Sequence, residues 1–84
     1  MDAKELIGEL NPDALFPDGL DEAIVGHVER NEVIVALYDI EKCVSVYMKK
    51  YKIDRTEALD DLYHNVFGAY VGINTPVYCT LFPE

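Results

Sequence analysis

The sequence of 84 residues predicts an α+β fold with the element order α-α-β-α-α-β, in which four helices pack on a two-stranded antiparallel ribbon. Half of the residues are hydrophobic, which suffices for one small core and argues against disorder. Four segments repeat apolar residues at helical spacing, whereas two short segments are rich in β-branched and aromatic residues. Because two helices separate the strands, we expect the second strand to run antiparallel to the first.

The first 19 residues are expected to form an N-terminal helix and a proline-containing linker, ahead of a single α+β domain over residues 20–84. Asp2 can cap this first helix, whose apolar residues recur at i, i+3, i+4 and i+7, namely Ala3, Leu6, Ile7 and Leu10. The turn sequence Pro-Asp-Gly at 17–19 ends the linker. A second helix is predicted over residues 20–30 because one helical stripe contains Leu20, Ala23, Ile24 and Val28.

The central part of the chain predicts a strand followed by a helix. The run VIVALY at residues 33–38 is apolar, rich in β-branched residues and too short for a helix. Asp39 follows this run and can cap a third helix over residues 40–51. Lysines at the end of that helix suit its dipole, because the C-terminal end favours cations.

The last part of the chain predicts a helix, a stop and a strand. Asp54 and Glu57 have capping-box spacing at the start of a fourth helix. Its apolar stripe contains Leu59, Leu62, Tyr63, Val66 and Tyr70. Gly72 is expected to close this helix in a left-handed conformation, and residues 77–82 form the second strand. Gly68 lies inside the predicted helix, which indicates that another backbone passes close to it.

The net charge of −9 lies entirely in the first half of the chain. Residues 1–41 carry eleven Asp and Glu against Lys4 and Arg30, and residues 42–84 carry five charges of each sign. This acidity disfavours direct nucleic-acid binding, which depends on cations. It predicts instead a protein partner with a basic surface, bound by the acidic first two helices, with Asp21, Glu22 and Glu29 of the second as the candidate contacts. The alternative is that the acidic charge only maintains solubility.

A cluster of polar residues at the ends of the two predicted strands is the candidate ligand site. Its members are Tyr38, Asp39, His64, Asn65, Asn74 and Thr75. Polar groups at strand ends can converge on a small ligand. The alternative is structural: Asp39 caps a helix, while Asn74 or Thr75 satisfies the backbone of a turn.

No residue pattern indicates catalysis. Ser45 has no glycine elbow, and no glycine-rich loop fits a phosphate-binding motif. Asp60 and His64 are four residues apart, but two ligands are too few for a metal site. The sequence therefore predicts a non-enzymatic protein without a metal or another cofactor.

Three segments resemble a group of small bacteriophage and prophage proteins of unassigned function. The segments are LDEAIVG at residues 20–26, ALYDIEKC at 36–43 and GAYVGINTPV at 68–77. The corresponding motifs of the group are A-[VL]-Y-D-x-x-K-C and G-A-Y-V-G-x-N-T-P-V. The chain departs from the group at Leu20, where Phe is usual. The resemblance implies a phage-encoded product that acts in the cytoplasm of a bacterial host.

The leading functional hypothesis is a non-enzymatic interaction module, for example a host-takeover or anti-defence factor. The alternative is a nucleotide- or metabolite-binding protein that uses Tyr38, Asp39 and Asn74. No apolar run approaches the roughly 18 residues that cross a bilayer, and the N-terminus lacks signal-peptide features, so we expect a cytoplasmic protein without membrane association. The open edges of a two-stranded ribbon could also pair with a second copy of the chain, which would give a homodimer with a shared four-stranded sheet.

Overall fold

The structure, a computed structural model, describes residues 2–83 and confirms the α+β class. Within these residues it contains three α-helices, which are α1 (Ala3–Leu10), α2 (Ile40–Tyr51) and α3 (Arg55–Leu62). Its three strands are β1 (Ile24–Arg30), β2 (Val33–Asp39) and β3 (Val77–Cys79). A 3-10 turn (Asp21–Ala23) precedes β1, and a π-helical turn (Tyr63–Phe67) extends α3. Met1 and Glu84, the ends of the predicted N-terminal segment and domain, lie outside the described residues.

The predicted helix over residues 20–30 is wrong, because most of this segment is strand β1. The spacing of four between Ile24 and Val28 fits a strand period as well as a helix period. The hairpin turn is made by Asn31 and Glu32, whose φ values of 53° and 66° are both positive. A two-residue turn of this kind matches the twist of paired strands, so it closes the β1–β2 hairpin.

The sheet has the order β1-β2-β3, so the predicted two-stranded ribbon is replaced by a mixed three-stranded sheet. β1 pairs with β2 antiparallel, whereas β3 pairs with β2 parallel. The predicted antiparallel arrangement of the last strand is therefore wrong. The connection from β2 to β3, residues 40–76, contains α2, α3 and the π turn, and it forms the crossover that a parallel pair requires. β3 is also shorter than predicted, since pairing ends at Cys79.

One apolar cluster joins the helices to one face of the sheet. Ala36 and Tyr38 supply the strand side of this cluster, as successive residues of β2 alternate between faces. Its fully buried helix and loop members are Ile7, Leu20, Ala23, Cys43, Val44, Ala58 and Leu62. Because Ile7 of α1 is only 1% exposed, the N-terminal helix contributes to the same core as the other helices.

The ends of α1 and α3 follow the predicted capping pattern. The Asp2 carboxylate accepts a hydrogen bond from the Glu5 N–H, and the Asp54 carboxylate accepts one from the Glu57 N–H, both at 2.9 Å. Each carboxylate therefore satisfies an N–H that the helix itself leaves without a partner. The predicted stop at Gly72 is misplaced, because the helical turns end at Phe67.

Candidate functional site

The three acidic residues proposed for partner binding lie on two different elements. Asp21 and Glu22 belong to the 3-10 turn, while Glu29 is exposed on β1. At about 3.3 Å per strand residue, Glu29 lies roughly 16 Å along β1 from its first residue. Asp21 is 3.4 Å from the Lys4 Nζ of α1, so part of its charge is already paired. These acids therefore do not lie on a helix of residues 20–30, since that predicted helix does not form.

Helix α1 carries a further acidic surface, and exposed leucines lie beside its acids. Leu6 and Leu10 belong to the apolar repeat of this helix, yet they are 46% and 50% exposed. The neighbouring Glu5 and Glu9 are also exposed. Residues four apart lie side by side on a helix, so two leucines and two glutamates form one contiguous surface. We call Glu5, Leu6, Glu9 and Leu10 the α1 face.

Sheet pairing places Glu29 on the same side of the protein as α1. Glu29 pairs in register with Ile34, whose side chain shares the helix-covered face of the sheet with Ala36. α1 contacts both β1 and β2. The exposed Glu29 carboxylate therefore extends the acidic surface from α1 onto the edge strand of the sheet.

Tyr38, the first residue of the predicted ligand cluster, is fully buried in the core. Its ring lies 5.5 Å from the ring of Tyr78, measured between centroids. Its hydroxyl has no hydrogen-bond partner among residues 2–83. Burial, followed by the effect of Tyr78, raises the pKa of Tyr38. Burial likewise raises the pKa of Tyr78, to about 12. Neither phenol ionises at neutral pH.

Asp39 lies at the start of α2 but does not cap it through its side chain. The residue is 7% exposed, and its carboxylate accepts no hydrogen bond from the helix. As the residue after Tyr38 in a strand, it points to the opposite face of the sheet. Burial, with Asp39 as the second cause, raises the pKa of the Cys43 thiol to about 11. Cys43 is therefore a neutral, buried thiol and a poor nucleophile.

His64 and Asn65 lie on the exposed side of the π turn. The side chain of His64 is 74% exposed, and its Nδ1 is 2.9 Å from the backbone oxygen of Asp60. It thus contacts its own helix and stays separate from the buried Tyr38 and Asp39. Asn65 is exposed and borders a groove that also reaches Thr75.

Asn74 and Thr75 hold backbone in place. Asn74 Oδ1 accepts a hydrogen bond of 3.0 Å from Asn11 Nδ2. The Thr75 hydroxyl donates to the Gly72 carbonyl at 2.7 Å and accepts from the Val71 N–H at 3.0 Å. These bonds close the turn before β3, in which Gly72 has a φ of 112°. A positive φ is strained for residues with a side chain, which explains glycine at that position.

The groove beside Asn65 has a volume of about 290 Å³ and is largely apolar. It brings together Asn65 and Thr75 from the predicted cluster and places them beside Tyr78. The remaining wall is formed by Leu15, Phe16, Pro17, Val66, Ala69, Val71 and Pro76. Because the Thr75 hydroxyl already has two partners, the Asn65 amide is the main polar group offered to a ligand. We call this feature the Asn65 groove.

A long side chain from β1 supports the loop that forms one wall of the groove. The Arg30 guanidinium donates hydrogen bonds to the backbone carbonyls of Thr75 and Ile73 and lies 5.8 Å from the centre of the Tyr70 ring. Its Nε is buried and has no partner within the described part of the chain. Arg30 therefore ties residues 70–75 to the sheet.

Comparison of the chain with protein-family models, with curated proteins and with solved structures finds no match. Between residues 2 and 83, no group of three or more His, Cys, Asp or Glu side chains could hold a metal ion. In the same residues, no helix has both the length and the apolar character needed to cross a membrane.

Proposed function

We propose that the protein is a non-enzymatic interaction module whose α1 face binds a basic surface of a protein partner. The observation that carries this proposal is the exposure of Leu6 and Leu10 beside Glu5 and Glu9. Protein interfaces commonly place apolar contacts at the centre and charged groups at the rim. The α1 face has this composition on a single helix.

The energetics favour a partner that covers both leucines. Burying the exposed half of one leucine side chain contributes about 1 kcal/mol, so the pair supplies about 2 kcal/mol. The acidic rim would accelerate association with a basic surface and select against acidic ones. Glu29 on β1 adds a further carboxylate on the same side of the protein.

The cellular role that we propose is based on the resemblance of residues 20–79 to phage and prophage proteins. That resemblance supports a partner from a bacterial host, and a task in host takeover or evasion of defence in the host cytoplasm. This role does not require catalysis, because binding alone can block a host protein. The buried, neutral state of Cys43 supports the same interpretation.

The test compares two matched double variants. Glu5→Lys with Glu9→Lys reverses the acids of α1, whereas Glu57→Lys with Asp61→Lys reverses two acids of the same spacing on α3. Glu5 and Glu57 each lie three residues after an aspartate cap, so the two variants should change helix stability by similar amounts. Each variant serves as bait in host lysate, and retained proteins are quantified by mass spectrometry.

The proposal predicts at least one host protein that the α3 control retains and the α1 variant loses. Titration of that purified protein should show about tenfold weaker binding for Leu6→Ala with Leu10→Ala. A third variant extends the test to the acids beyond α1 and reverses Asp21, Glu22 and Glu29. If the α1 variant and the α3 control retained the same proteins in the same amounts, the α1 face would not be the binding surface.

A second candidate function is small-ligand binding, now placed at the Asn65 groove. The supporting observation is that this groove unites Asn65 and Thr75 beside an aromatic ring. Of the residues predicted for this function, Tyr38 is buried in the core and Asp39 is buried at the start of α2. Asn74 is hydrogen-bonded to Asn11. A thermal-shift screen with nucleotides and metabolites tests this candidate. A stabilising ligand should lose its effect in Asn65→Ala, and an unaltered shift in that variant would exclude the groove.

A further inference from the structure

A cleft lies between α2 and the turn at residues 17–19. The three lysines of α2 line this cleft. The cleft has a volume of about 550 Å³. Its polar walls are formed by Glu22, Lys42, Ser45, Lys49 and Lys50, with Gly19 at the opposite side. Positions 42, 45, 46 and 49 follow helical spacing and therefore lie on one side of α2. We call this feature the lysine cleft.

The charge of the lysine cleft contrasts with the rest of the protein. The chain carries a net charge of −9, yet five of its seven Lys and Arg residues fall between positions 42 and 55. Among residues 2–83, none of the three cleft lysines forms an ion pair with a carboxylate. The three ammonium groups share the cavity with one carboxylate, that of Glu22, so its wall keeps a net charge of +2 and attracts an anion.

Helix stability explains only part of this arrangement. Lys49 and Lys50 lie in the last turn of α2, where the helix dipole favours cations. Lys42 lies in the first turn, where the dipole disfavours them. The helix dipole therefore does not explain the charge of Lys42. Lys42 does, however, add a third cation to the lining of the cleft.

Gly19 brings a backbone turn close to this wall. Its φ is +78°, and a Cβ at this position would lie 3.1 Å from the Nζ of Lys50. A positive φ favours glycine, and the Pro17-Asp18-Gly19 turn thereby brings its backbone beside the Lys50 ammonium. This turn forms one side of the cleft, whose volume lies in the range of small-molecule sites.

We propose that the lysine cleft binds a small anion with two or more phosphate groups, either pyrophosphate or the terminal phosphates of a nucleotide. Lysine ammonium groups are compact charges with three donors each, and they suit phosphate oxygens from several directions. The Ser45 hydroxyl adds a neutral donor on the same helix face. A small anion is favoured over a long polyanion because a nucleic acid would also meet the acidic half of the chain.

The test follows backbone amide signals by NMR while the protein is titrated with pyrophosphate and, separately, with ADP. Saturable shifts should concentrate at Gly19, Lys42, Ser45 and Lys49. Pyrophosphate and ADP binding with equal affinity would identify the phosphates as the recognised group, whereas tighter ADP binding would identify a nucleotide as the source.

Two single substitutions give a matched comparison. Lys49→Gln removes a charge from the cleft and should weaken pyrophosphate binding about fivefold, the upper range for an exposed ion pair. Lys52→Gln removes the same charge three residues later, outside the cleft lining, and should change binding by less than about twofold. Equal weakening in both variants would show a non-specific effect of charge and overturn the proposal.

Two further outcomes would also overturn it. The first is the absence of saturable shifts with either anion, and the second is tighter binding of a single-stranded oligonucleotide than of pyrophosphate. The lysine cleft lies on α2 and is independent of the α1 face, so a failure here leaves the proposed partner binding unaffected. Conversely, the α1 charge reversal should leave the pyrophosphate shifts in place.

Discussion

Replacing Gly68 by alanine tests the geometry of the π turn that ends the third helix. The Gly68 N–H donates a hydrogen bond of 3.2 Å to the carbonyl oxygen of Tyr63. A Cβ added at Gly68 would lie 2.8 Å from that same oxygen. The oxygen belongs to the backbone, so it can move away only if the turn opens. The sequence indicated a close backbone at Gly68, and the structure identifies it as the carbonyl of the same turn.

The two opposing effects of Gly68→Ala can be estimated. Gly68 follows the π turn with a φ of −84°, which alanine can adopt, so restricting the unfolded chain would stabilise the protein by about 0.4–1 kcal/mol. Forcing a methyl group into a filled space costs about 1–3 kcal/mol. The net expectation is a loss of about 1 kcal/mol in the free energy of unfolding. For a domain of this size, that loss lowers Tm by roughly 5 °C.

Gly8→Ala is the matched control, because Gly8 is a glycine inside helix α1 with no atom within 4 Å of an added Cβ. Helix propensity alone applies there, so Tm should rise by about the same amount. Both variants are measured by thermal and urea denaturation, monitored by circular dichroism. If Gly68→Ala were as stable as the wild type or more stable, while Gly8→Ala rose as expected, the proposed overlap with the Tyr63 carbonyl would be refuted.

Three further predictions concern the loop, the thiols and the alkaline limit of stability. Arg30→Met removes two hydrogen bonds to loop carbonyls and should lower the free energy of unfolding by about 2 kcal/mol. Proteolysis within residues 68–76 should become faster. An unchanged cleavage rate would contradict the role of Arg30 in holding this loop. In the folded protein an alkylating reagent should label the partly exposed Cys79 but not the buried Cys43, and equal labelling rates would contradict this burial. Because burial raises the pKa of Cys43 from 9.0 to about 11 and that of Tyr78 from 10.0 to about 12, the contribution of these two groups to stability should be constant below about pH 9 and fall from there to about pH 12. Urea midpoints across this range measure the decline, and Tyr78→Phe should make it shallower; a decline of the same slope in that variant would exclude Tyr78 as a source.

The parts of the fold that depend on local interactions were predictable from the sequence. Caps at Asp2 and Asp54 act through neighbouring backbone groups, and both form as expected. The strand at 33–38 and the helix at 40–51 also have the predicted type, because each has a strong apolar pattern. Local patterns sufficed where an element is defined by its own residues.

The errors occur where distant parts of the chain decide the structure. Residues 24–30 form a strand because β2 pairs with them, and their spacing alone fits either period. The turn that allows this pairing places Glu32 at a φ of 66°. Glycine usually occupies this position in an Asn-Gly hairpin turn, so the Asn-Glu sequence does not indicate a hairpin. The direction of β3 likewise depends on the path of the crossover, which no local pattern specifies.

The candidate site was predictable to a similar extent. Asn65 and Thr75 do line one groove, but Tyr38 and Asp39 could not converge there because neighbouring strand residues point to opposite faces. The exposed leucines of α1 were missed for a related reason. Apolar residues at helical spacing do not show how many of them are buried. In α1, Ile7 alone is buried in the core.

The edges of the sheet bear on whether α1 meets a partner or a second copy of the chain. Asn11, which ends α1, donates through Nδ2 to both the Ile34 carbonyl and the Asn74 side chain. It therefore occupies the side of β2 that the short β3 leaves unpaired. Within residues 2–83, β1 and β3 are the edge strands of the sheet, and Glu29 is exposed on β1, the longer of the two. Two copies that paired through β1 would bring two chains of charge −9 together, and this repulsion opposes the shared sheet at low ionic strength. A basic partner would meet the same acidic side without that cost, so the charge distribution favours association with a different protein over self-association.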